Sequence, residues 1–115
     1  MLHEEKKAAK IVEELTMFFF GIGGDQMTSS IKRGQNVIYI RFTSNYHPAF
    51  SHKIQVMEDY LNRPKNDGVE DIYWELAGSE DPGETSQLLL IGMMIDKAVV
   101  NRHVGSVTVE MEKRI

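Results

Sequence analysis

His47 and His52 lie five positions apart on either side of Pro48. Imidazole nitrogen is a common ligand for divalent metals, so this pair is the candidate metal site. Proline suits the first position of a helix, which sets both histidines near one helix start. A spacing of five does not put them on one helical face, unlike the four-residue spacing of metalloprotease helices. Convergence needs a bent loop at His47, with an acid from the 67–84 loop completing the set and Asp59 helping only through a longer reach. The plainer reading makes His47 a border of the helix and His52 a polar surface residue.

Gly23, Gly24 and Asp25 form the candidate ligand-binding turn, directly after Phe18-Phe19-Phe20-Gly21-Ile22. Glycine-rich backbone can cradle an anion through its N–H groups. Glycine is equally what a helix end requires before the chain reverses. No Lys-Ser/Thr pair follows these glycines, as a Walker-type loop would demand. The order is helix, glycines, strand, the reverse of a dinucleotide fingerprint, so no helix N-terminus faces a ligand. Asp25 would also repel phosphate. The helix-ending role is therefore favoured.

Nucleophilic and acid–base chemistry find less support. Ser29 and Ser30 sit in a β-type segment with no Gly-x-Ser-x-Gly elbow. Glu80, Asp81 and Glu84 could pair for proton transfer, but a glycine-proline loop is also an ordinary setting for solvated acids. The chain has no cysteine, which excludes disulfides, thiol catalysis and zinc–thiolate sites. No cofactor is implied.

Charge narrows the partners. The net charge is −4, yet residues 1–55 carry seven Lys/Arg against five Asp/Glu and residues 56–115 carry six against twelve. Between Asp67 and Glu84 there are seven acids and no base. That segment repels phosphate backbones and argues against nucleic acid as partner. Tyr39 and Arg41 share a strand face, with Lys32 and Arg33 on the neighbouring strand, a small field that could hold an anion.

These residues must be positioned by a short series of elements. Ala8, Ile11, Val12, Leu15, Phe19 and Ile22 recur at helical spacing and predict a helix from Leu2 to Phe20. Gly21 is the expected left-handed residue at its end, with Ile22 folding back as the apolar contact. Gln26–Arg33 and Val37–Thr43 are β-type and joined by a glycine-containing connection, which predicts an antiparallel hairpin. Apolar groups on both faces of the second segment make it central. Phe50, Ile54, Met57 and Leu61 mark a second helix. Residues 69–76 fit a strand and a helix; the cluster of Ile72, Tyr73 and Trp74 favours the strand. A buried helix is expected from Glu84 or Thr85 to about Val99, then a turn at Asn101-Arg102-His103 and a last strand through Val107, Val109 and Met111.

The expectation is an α+β fold: one domain over 1–115, a two-layer α/β sandwich in α-β-β-α-β-α-β order. Its four-stranded mixed sheet begins with an antiparallel hairpin and ends with strands joined through a helix. No apolar run reaches the ~20 residues of a membrane span, and no signal region opens the chain. A soluble cytoplasmic protein fits.

Apolar surplus points to association. Phe18, Phe19 and Phe20 rotate by ~100° per residue and cannot all enter one core. With Trp74 and the apolar 88–95 run, Phe18 and Phe20 are the candidate interface residues of a homodimer, with a protein partner as a further possibility. The sequence thus reads as a non-catalytic intracellular domain acting through self-association and protein or ligand binding. The alternative is a small-molecule- or metal-binding protein or enzyme, with a pocket near the glycine turn, His47/His52 and the 78–84 loop.

Overall fold

The computed structural model describes residues 2–62, Gly92 and 95–115, with the side chains of Leu2 and His3 left out. Helix α1 spans Leu2–Gly21, strand β1 Met27–Arg33 and strand β2 Val37–Asn45. A single 3-10 turn at Pro48–Phe50 leads into helix α2, Ser51–Leu61; strands β3, Lys97–His103, and β4, Ser106–Arg114, follow.

The strands form one sheet in the order β1-β2-β4-β3, and every neighbouring pair is antiparallel. The expected mixed sheet is corrected accordingly. Residues 97–99 belong to β3 rather than to a helix, and Asn101, Arg102 and His103 continue that strand rather than turning. The turn lies at Val104-Gly105, where Gly105 takes φ +76°. From Lys97 onward the apolar period becomes two: Ala98 is buried and Val99 is exposed. Asp96 anchors the change. Its N–H donates to the Glu112 carbonyl at 2.8 Å, and its carboxylate accepts the Arg114 N–H at 2.6 Å. The expected 69–76 strand, Trp74, the 78–84 loop and the expected helix up to residue 94, apart from Gly92, fall outside the described residues.

One sheet face is the core. Ile38, Ile40 and Phe42 of β2 and Val107, Val109 and Met111 of β4 are buried and share a cluster with Ala8, Ile11, Leu15, Phe18 and Phe19 of α1. Ile54, Met57 and Leu61 of α2 close the same cluster. Phe19 stacks on Phe42 at 5.5 Å, and Phe18 meets Phe19 edge-on at 5.2 Å. Each such ring contributes about 1.5–3 kcal/mol through burial alone. Phe20, a further 100° round the helix, is 58% exposed.

The end of α1 is a Schellman cap. The Gly24 N–H donates to the Phe19 carbonyl at 2.8 Å and the Gly23 N–H to that of Phe20 at 3.3 Å. Gly23 takes φ +88°. The left-handed residue is therefore Gly23, not Gly21. The helix runs one residue further than its apolar stripe requires, and Ile22 is carried into the core.

Candidate functional site

The second face of the sheet, over which no helix packs among the described residues, gathers side chains from all four strands. Antiparallel register lines them up in rows. Lys32, Tyr39, Glu112 and Lys97 stand abreast, and Ser30, Arg41, Glu110 and Val99 form the next row. Thr28, Thr43, Thr108 and Asn101 follow. Tyr39 of the inner strand β2 and Val99 of the edge strand β3 are 44% and 41% exposed.

Between the first two rows lies an open concavity of about 340 Å³, lined among others by Lys32, Tyr39, Arg41, Lys97, Val99 and Glu112. Its charges offset one another across strands: Arg41 lies 3.8 Å from Glu110, and Lys97 lies 4.0 Å from Glu112. Pairs this exposed contribute about 0–1 kcal/mol and are readily exchanged for an incoming partner's charges. The Thr43 and Thr108 hydroxyls share a hydrogen bond of 3.0 Å and fix the neighbouring row. Aromatic and aliphatic surface amid paired charges of both signs suits a protein or small amphipathic ligand better than a polyanion.

The sequence anticipated part of this surface. Tyr39, Arg41 and Lys32 do share the face. Arg33 does not: it pairs with Ile38 and turns to the helix side, where its Nε lies 3.2 Å from Glu5. Lys97, Val99, Glu110 and Glu112 were missed. The period-two alternation of Lys97 and Val99 was the available signal.

Gly23, Gly24 and Asp25 are built into the junction of α1, β1 and β2. The first two N–H groups cap the helix, as above. The N–H groups of Asp25 and Gln26 both donate to the Asn45 side-chain oxygen, at 2.8 and 3.1 Å. The Asn45 amide returns a 2.6 Å bond to the Asp25 carboxylate. Protein acceptors thus take every N–H of this turn. At Gly24 a Cβ would lie 2.8 Å from the Asn45 carbonyl, so glycine answers crowding there.

His47 does approach the glycine turn. Its N–H donates to the Ile22 carbonyl at 2.9 Å, and a Cβ on Gly23 would lie 2.8 Å from the His47 Cβ. The His47 Nδ1 accepts the Ala49 N–H at 3.1 Å and so caps the 3-10 turn. His52 is exposed on α2. Among the described residues no three His, Asp or Glu side chains gather as a metal-binding group. Of the interface candidates, Phe18 is buried within the chain itself and Phe20 is exposed.

Compared with known protein families, curated proteins and solved structures, the chain matches none. Among the described residues no helix is long and apolar enough to cross a membrane.

Proposed function

We propose that the chain is a non-catalytic intracellular domain that works by self-association and by binding a protein or ligand, with the open sheet face as the surface that receives this protein or ligand. The observation that carries this reading is the sheet face that no described helix covers. Tyr39 on the inner strand β2 and Val99 on the edge strand β3 stand exposed there, amid Lys32, Arg41, Lys97, Glu110 and Glu112. Such a mixture, aromatic and aliphatic inside a ring of polar groups, is how binding patches are composed. A cytoplasmic setting accords with the absence of cysteine.

Native mass spectrometry of the unaltered protein tests this reading. A dimer mass is expected. A strict monomer that neither self-associates at high concentration nor carries a bound molecule overturns it. Tyr39→Ala combined with Arg41→Glu should abolish capture of whatever the face binds, with an unchanged far-ultraviolet spectrum.

A second reading keeps one specific support: His47 and the glycine turn meet in space. A metal- or small-molecule-binding pocket there predicts a reproducible added mass in the same spectrum, lost on replacing His47 and His52.

A further inference from the structure

We propose that two copies of the chain pair through the outer edge of β1, antiparallel and centred on Ser29, to make one continuous sheet. The inference rests on the self-association reading above and names the surface that would carry it.

Strand β1 ends the sheet on one side, and among the described residues no strand pairs with its outer edge. Register parity tells which groups face outward. The Gly34 N–H donates to the Val37 carbonyl at 2.7 Å, and the Gln26 carbonyl accepts the Asn45 N–H at 3.3 Å. Even-numbered residues of β1 therefore bond to β2. Met27, Ser29, Ile31 and Arg33 direct their backbone N–H and C=O groups outward, because hydrogen-bonded and non-bonded pairs alternate along an antiparallel ladder.

Edges of this kind are usually blunted. The opposite edge, β3, is: Arg102 reaches α2 through Gln55 at 3.0 Å and Glu58 at 3.7 Å. The centre of β1 carries only Thr28, Ser29, Ser30 and Ile31, all exposed. Ile31 remains 49% exposed, although it faces the helix layer.

The sequence 25–33 is complementary to itself about Ser29. In that register Met27 opposes the partner's Ile31, so apolar meets apolar. Thr28 opposes the partner's Ser30. Asp25 opposes the partner's Arg33, an attractive charge pair that symmetry supplies at both ends. The pairs at Ser29 and at Met27 with the partner's Ile31 fall at hydrogen-bonding positions on the outward groups. Both charges can respond. The second carboxylate oxygen of Asp25 has no partner among the described residues, and Arg33 holds only the exposed Glu5 and the Gly34 carbonyl. A slip of one residue would place Ile31 on the wrong face, and register is set by such matching.

Cysteine substitution tests the arrangement, since the chain contains no other cysteine. Across a hydrogen-bonded pair the Cα atoms lie about 5.5 Å apart, within the range a disulfide spans. Ser29→Cys should therefore give a covalent dimer on mild oxidation. Ile31→Cys should not, because in this register the two copies of residue 31 are four residues out of step, about 14 Å along the strands. Charge exchange supplies the second test. Arg33→Asp alone should weaken the dimer at least tenfold, and adding Asp25→Arg should restore it.

Crosslinking at Ser29→Cys with restoration by the charge exchange supports the proposal. Crosslinking at Ile31→Cys instead, or at neither position while the unaltered chain has a dimer mass, overturns this edge and leaves self-association standing. A monomeric unaltered chain overturns both.

Discussion

Gly21 and Gly23 are two positions apart in the sequence and opposite in their physical demands. Gly21 is helical, and a Cβ there meets nothing within 4 Å. Gly21→Ala should raise stability by about 0.5–1 kcal/mol, since glycine costs that much in a helix. Gly23 holds φ +88°, and its Cβ would strike that of His47. Gly23→Ala should cost about 1–3 kcal/mol. Urea midpoints of the two variants, moving in opposite directions, check the assignment of the cap. Spacing alone could not separate these glycines, because both lie where a helix end is expected and the deciding contact comes from His47 in a distant loop. The three phenylalanines were more legible. A fixed rotation per residue decides that at least one leaves the core, and Phe20 does.

The elements that could be read from sequence are those specified locally. The apolar stripe of α1, the turn signal at Gly34 and the stripe of α2 each act over a few residues, and all stand in the fold. Strand β4 was legible from the alternation of Val107, Val109 and Met111, but β3 was not, because only Asp96-Lys97, with no glycine or proline, separates the apolar run ending at Ile95 from Ala98-Val99-Val100. Only pairing with β4 makes that stretch a strand. The candidate face inherited the same limit: its β1–β2 half was visible, while Lys97 and Val99 of β3 and the outward Glu110 and Glu112 of β4 were not. Within α1, Lys10 makes a local prediction. Partial burial lowers its pKa, but the hydrogen bond to Glu13 and the charges of Glu13 and Glu14 outweigh this and raise it above 10.5. A group raised on folding stabilises fully below its unfolded pKa and loses that contribution as pH climbs through the folded one. The stability gap between the protein and Lys10→Met should be constant from neutral pH to about 10 and narrow at higher pH. Thermal melts across that range measure it.

At the scale of the whole molecule, one buried cation ties the two ends of the described chain together. Lys113, buried on the core face of β4, lies 3.4 Å from the Glu4 carboxylate, which also holds Lys7 at 3.4 Å. Lys113 has further contacts, so Glu4→Gln should cost about 1–3 kcal/mol rather than the larger penalty of an orphaned buried charge. A lowered urea midpoint with an unchanged slope is the expected result. The strand that carries Lys113 also lies between β2 and β3, although it is made after every other described element. During synthesis, then, β2 has β1 as its only neighbour among the described strands until residues 106–114 emerge. The flank it leaves bare is the backbone N–H and C=O row of Val37–Asn45 that β4 later pairs with. A nascent chain arrested before Ser106 therefore presents a sticky, half-built sheet of the kind that chaperones hold, and the final strand acts as its closing bolt.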